Sequence, residues 1–104
     1  MQNIDDERLI GYVKWFNDKK GFGFITVCSE GKYKGHDIFV HHTSLDAAPC
    51  IYTYLVQYEY VEFFLCKVTN NNHTIQACNV TGVNYGYTMC QHQKSKSLAK
   101  QSIE

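Results

Sequence analysis

Four rings stand out by type and spacing. Phe22 and Phe24 lie two residues apart, as do Phe39 and His41. Side chains of an extended chain alternate between faces, so each pair shares one face. The residues between and beside them, Ile25 and Val27 on one segment and Ile38 and Val40 on the other, form a β-branched set suited to a core. Rings left on the open face would be a patch that a monomer does not carry without use. With Lys14, Lys19 and Lys20 close in sequence, such rings suit unpaired nucleic-acid bases: they stack on base faces while ammonium groups meet phosphates. Each stacked base contributes roughly 1–3 kcal/mol, so three or four contacts give useful affinity with few positive charges. A competing reading makes the rings the core and the aliphatics the other side of a two-layer sandwich. Alternation alone divides evenly between the two.

Other chemistry has weaker support. His41, His42, Asp37 and the five cysteines Cys28, Cys50, Cys66, Cys78 and Cys90 are raw material for nucleophilic catalysis or zinc. Adjacent histidines on a strand point to opposite faces, however, and there is no CxxC or structural-zinc spacing. The reading is therefore non-catalytic, with no metal and no cofactor. An odd cysteine count without a visible apolar leader fits reduced thiols in an intracellular protein, cytoplasmic or nuclear, with the cysteines as small buried apolar residues. Asn72-His73-Thr74 and Asn79-Val80-Thr81 match glycosylation acceptors and are read as chance. No apolar run approaches the ~18 residues of a membrane span.

The elements that must position the rings follow from period-two patterning. Residues 1–8 are polar and acidic, a loose leader. From Leu9, one face takes Tyr12, Lys14 and Phe16 and the other Gly11, Val13 and Trp15. Asn17 to Gly21 is turn chemistry; Phe22–Val27 and Asp37–His41 are the second and third strands. The segment from Ser29 to His36 is a polar loop with two glycines. Asp46-Ala47-Ala48-Pro49 can close a helical turn. Glu59 to Val68 is a fourth strand with Val61, Phe63 and Leu65 inward, Asn70 to His73 a hairpin-type turn, and Thr74 to Val83 a fifth strand. Five short strands predict a small all-β barrel or sandwich. Residues 84–104, rich in Gln, Ser and Lys, read as a mildly basic flexible tail, with Ser97 to Ile103 a short helix on a partner.

The words of the sequence decide what alternation leaves open. Gly11-Tyr12-Val13-Lys14-Trp15-Phe16-Asn17, Lys20-Gly21-Phe22-Gly23-Phe24-Ile25 and Asp37-Ile38-Phe39-Val40-His41 resemble the cold-shock domain, the second and third matching its two ribonucleoprotein motifs. Val61-Glu62-Phe63 and Gln76 to Gly82 resemble its last two strands. The likeness spans about residues 9–82 in order. His42-Thr43-Ser44-Leu45, Pro49-Cys50-Ile51-Tyr52 and Val80-Thr81-Gly82 are closer to the eukaryotic Y-box type than to the bacterial one.

The resemblance implies a five-stranded antiparallel OB-fold barrel over residues 9–83 that binds single-stranded RNA or DNA. It implies base stacking on Trp15, Phe22, Phe24, Phe39 and His41. Lys14 then meets phosphate or base, Asn17 and Asp37 meet base edges, and Lys20 is a basic loop position. Because Trp15 would share the face of the other rings, the first strand is expected to bend or bulge there. His42 replaces an aromatic of bacterial members and makes a weaker subsite, pH-dependent through the ordinary histidine pKa near 6.5. The Tyr52–Tyr60 stretch lacks the family's glycine-containing turn, and Tyr52 is its best candidate for a further base contact. Lys32, Tyr33 and Lys34 belong to a longer loop, read as only that. Phe64 alternates out of the core and is read as partner-facing. The alternative function is a protein-interaction module using the barrel's aromatic surface, the tyrosines and the tail, a second copy of the chain included.

Charge sharpens this. Ten Lys and Arg balance ten Asp and Glu, so charge is not the main source of affinity. Binding driven by rings predicts a shallow salt dependence.

Overall fold

A computed structural model describes residues 2–3, 7–46, 53–67 and 75–91. Tyr52, the Asn70–His73 turn, the Asp46–Pro49 turn beyond Asp46 and the tail from residue 92 lie outside them. Six strands are formed: β1 (Gln2–Asn3), β2 (Leu9–Asn17), β3 (Phe22–Val27), β4 (Asp37–His41), β5 (Tyr60–Lys67) and β6 (Ile75–Thr81). The last five close into a barrel in the order β5-β2-β3-β4-β6, with β6 returning to β5. This is the OB-type barrel the sequence predicts. Short 3-10 turns follow β4 at His42–Ser44 and β6 at Val83–Tyr85.

One pairing departs from the antiparallel expectation. β4 and β6 run parallel where they meet, at Phe39 and Gln76, and Leu45 bridges Val80 in the same sense. The reason is counting. Directions cannot alternate all the way around a ring of five strands, so one seam has to join two strands of the same direction.

The core is the aliphatic set, not the rings. Ile25, Val27, Ile38 and Val40 are buried, as are Val13, Val61, Phe63 and Leu65. Fully burying side chains of this kind contributes roughly 1.5–3 kcal/mol each. Leu45 and Leu55 are buried with them. A two-layer sandwich with an aromatic interior is thereby excluded.

Three edges differ from the sequence reading. The leader is engaged at two points: β1 pairs with β5 through Cys66 and Lys67, and the Arg8 side chain is only 6% exposed. Residues 84–91 are no loose tail at their start. Thr88 and Gln91 form a capping box, Thr88 N–H donating to Gln91 Oε1 at 2.8 Å and Gln91 N–H to Thr88 Oγ1 at 3.4 Å. Met89 N–H donates to the buried Glu59 carboxylate at 3.0 Å, tying this turn to the barrel. The thiols differ too, for Cys66 and Cys78 form a disulfide between β5 and β6, while Cys28 is a free thiol. The diagonal neighbours of an antiparallel pair can be bridged, and a spacing of 12 residues does not reveal that.

Candidate nucleic-acid interface

The outer face of β2, β3 and β4 carries the rings. Pairing lays them out in rows: Trp15 opposite Phe24 opposite Phe39, and Asn17 opposite Phe22 opposite His41. Trp15 reaches this face through a bulge. The register shifts between Val13 and Trp15, leaving Lys14 as the extra residue, so the side-chain phase slips by one. Gly23, opposite Phe16 and Val40, makes the tight packing possible. A Cβ there would sit 2.7 Å from Phe16 Cα and still closer to the Trp15 carbonyl oxygen.

The four rings touch one another. Trp15 lies 5.7 Å from Phe22 and 5.4 Å from Phe24, between ring centroids. Phe39 lies 5.7 Å from both Phe22, nearly parallel, and Phe24, edge-on. Trp15 is 39% exposed, and the three phenylalanines are half-buried. Spacing of this kind fixes ring directions while leaving outer faces open to a planar ligand.

At one end of the cluster, the His41 and His42 rings lie 4.5 Å apart, tilted by 39°. His41 Nδ1 lies 2.8 Å from Thr43 Oγ1. Burial, with the neighbouring His42 charge second, pushes the His41 pKa below its ordinary value, so near neutral pH the ring is uncharged and suited to stacking. His42 is exposed and packs over Gly21, whose φ is +75°. A Cβ at Gly21 would meet the imidazole at 2.5 Å. The glycine thus serves both the turn and the seat of His42.

The polar candidates behave differently from one another. Lys14 Nζ binds Asp37 Oδ2 at 2.6 Å, and Thr26 Oγ1 donates to Asp37 Oδ1 at 2.8 Å. Hydrogen bonding from Lys14, then from Thr26, holds the Asp37 carboxyl below its ordinary value; the same Asp37 contact raises Lys14. Each oxygen of Asp37 thus accepts one hydrogen bond, and the carboxylate holds the Lys14 ammonium in place with acceptor capacity left over. Asn17 Oδ1 accepts from Lys20 N–H at 2.9 Å, closing the turn; Lys20 itself is exposed. Two positioning residues escaped the sequence reading. Thr26 shares the outer face of Phe22 and Phe24 by plain alternation and was legible. Gln57, whose Nε2 donates to the Lys14 carbonyl at 3.1 Å, comes from a distant segment and was not.

Residues set apart from the cluster complete the picture. Lys34 pairs with Glu30, Lys32 lies over the Tyr33 ring, and Tyr33 packs on the core, so the 28–36 loop is internally satisfied. Phe64 points outward but is covered by Arg8, at 5.1 Å from its centroid, and so is not the open patch expected. A cavity of about 450 Å³ lies there, away from the rings, lined by Arg8, Phe64, Cys66, Cys78 and Tyr85 among others. Among the described residues no group of three or more His, Cys, Asp or Glu could hold a metal, and no helix is long and apolar enough to cross a membrane.

The chain matches the model of the 'Cold-shock' DNA-binding domain over residues 9–83. It is similar to the cold shock-like protein CspA of Stigmatella aurantiaca, 41% identical over 73 residues that make up 70% of this chain and 94% of that protein. The cold shock protein CspD of Bacillus subtilis is 43% identical over 70 residues, 67% of this chain and 91% of that one. A shorter stretch of 35 residues is 60% identical to the major cold shock protein CspA of Pseudomonas aeruginosa, covering 34% and 44% of the two chains. These three relatives are bacterial and lend no support to the Y-box likeness expected from the residues around His42. The closed barrel, the two motif strands carrying its outer rings and the match across most of its length agree, and the chain belongs to the cold-shock DNA-binding domain family.

Proposed function

We propose that the protein binds single-stranded RNA or DNA by stacking unpaired bases on Trp15, Phe22, Phe24, Phe39 and His41, without catalysis. One observation carries the reading: four rings in mutual contact lie on the outside of a barrel whose core is filled without them. Lys14 and Lys20 supply nearby cations for phosphate, and His42 and Tyr52 are further base contacts. Stacking is blind to the 2′-hydroxyl, so RNA and DNA are both ligands. Bases held on the rings are withheld from pairing. That is the chemistry of an RNA chaperone, and it also serves control of mRNA translation or stability.

The test is quenching of Trp15 fluorescence on titration with short single-stranded RNA and DNA. Saturable quenching by single strands with poor competition from duplex is expected. No quenching, or undiminished binding by a Phe22→Ala/Phe39→Ala/His41→Ala variant, sinks the reading. A module that binds only protein would leave the fluorescence unmoved by either oligomer.

A further inference from the structure

We infer that Tyr12 and Tyr60 form one more base-stacking position at the β5 edge of the aromatic face, lengthening the bound strand by one nucleotide. This rests on the single-strand reading above and deepens it. The register places the pair. Tyr60 stands opposite Tyr12, Tyr12 opposite Thr26, and Thr26 opposite Asp37. This row lies directly beside the row of Trp15, Phe24 and Phe39 on the same outer face. On β3 the step between rows is Phe24 to Thr26, two residues or about 7 Å. The platform and the tyrosine pair are therefore continuous, and the Lys14 ammonium, 53% exposed, is held by Asp37 at the other end of the tyrosine row.

The tyrosines are not needed by the fold in the way the core is. Tyr60 is 61% exposed. Its ring meets Tyr12 edge-on at 6.4 Å and 69°, a contact that sets the ring angle on the open face. The same strand shows what covering a ring involves: Phe64, also outward on β5, lies under the Arg8 guanidinium. Beside the pair, residues 57–59 are laid against β2. Tyr58 N–H donates to the Val13 carbonyl at 2.7 Å and Gln57 to that of Lys14. Tyr58 adopts φ +73° there, a left-handed conformation that costs a bulky residue energy. Its side chain is nonetheless 67% exposed. A further aromatic residue is thus held at the same edge against its backbone preference. Continuity with the ring cluster and an exposed cation held in the same row fit a base and its phosphate; they are not what an apolar protein contact requires.

The test is a length series of oligouridylate and oligothymidylate, three to eight nucleotides, titrated into the full-length chain, Tyr60→Ala, Tyr60→Phe and Phe39→Ala. Thermal melts check that each variant is folded. Tyr60→Ala should bind the shortest oligomers as the unsubstituted chain does. It should lose about 5- to 150-fold once the oligomer is long enough to reach the edge, the range for one stacked base. Tyr60→Phe should keep that affinity. Unchanged affinity at every length, or an equal loss at every length, overturns the inference. So does a change of oligomeric state in sedimentation with oligomer affinity unmoved, which would assign the tyrosines to a second copy. If Phe39→Ala abolishes binding while Tyr60→Ala is neutral, only the tyrosine position falls. If no oligomer of any length binds the unsubstituted chain, the platform falls and the tyrosine position with it.

Discussion

Two outward faces of one barrel treat their aromatic residues in opposite ways. On β5, Phe64 points away from the core and is covered. The Arg8 guanidinium lies between it and Tyr85, 5.1 and 4.2 Å from the two centroids. It donates to the Asn79 carbonyl, the Glu62 carbonyl and Thr81 Oγ1 and pairs with Glu62 Oε2. On β2 to β4, Trp15, Phe22, Phe24 and Phe39 pack against one another, and Trp15 is left 39% exposed. The fold has a means of covering an outward ring and applies it on one side. The difference teaches that outward rings on one barrel can be finished in two ways: a ring laid under a guanidinium, or rings packed edge to face with a partly exposed tryptophan at their margin. The covered side also holds the Cys66–Cys78 disulfide, which ties β5 to β6.

The contrast can be broken from either side. The largest effect is expected from the open face, where Phe22→Ala/Phe39→Ala/His41→Ala should lower affinity for single strands by more than about 100-fold. Fluorescence titration and a thermal melt together check this; a collapse of the melt instead would make the open rings structural. Arg8→Ala should do the reverse. Removing one partner of a largely buried ion pair, with the ring contacts it supports, should cost about 3 kcal/mol in denaturant unfolding. Oligonucleotide affinity should not change. Replacing both Cys66 and Cys78 by Ser releases a loop of 12 residues' separation and should cost about 2–3 kcal/mol, again without touching binding.

Smaller effects come from protons and salt. The His41 pKa is lowered in the folded chain, so the unfolded chain takes up the proton first as pH falls. Stability should therefore decline from about pH 6.5, the ordinary histidine pKa, down to the lowered value, and then level off. His41→Phe should flatten that part of the melting-temperature profile. Asp37 acts lower still: its carboxyl is held down by Lys14, so its contribution is present above its ordinary pKa and lost as pH falls through the lowered one. The smallest effect is the salt slope. With two or three phosphates met by lysines, log affinity should fall against log salt with a slope of only about −1.4 to −2.1. A much steeper slope would move binding away from the rings and onto the charged loop or the tail.

Much of the open face was legible because it is local. Phe22, Phe24, Phe39 and His41 lie on two strands whose alternation puts them together, and the aliphatics between them read as core. The same alternation placed Trp15 on the wrong side, since a bulge at Lys14 leaves no mark in the pattern; only the family resemblance put it with the rings. The covered face was illegible for a different reason. Arg8 meets Glu62, Asn79 and Thr81 across more than fifty residues of chain, and its acidic neighbours made it look like leader. Cys66 with Cys78, and Tyr12 with Tyr60, likewise depend on which strands lie side by side, which spacing along the chain does not state.

The bulge at Lys14 also makes the tryptophan a matter of parity. Val13 faces in and Trp15 faces out because one residue more than the ladder needs lies in that stretch. Every replacement at position 14 keeps the count. Deleting the residue would turn the bulge into a regular ladder, with Val13 and Trp15 adjacent, the indole still outside opposite Phe24 and only the ammonium lost. What would turn the indole inward and Phe16 outward is regular pairing straight through position 14 at unchanged length, so it is the irregularity, rather than the residue that forms it, that keeps the ring on the open face.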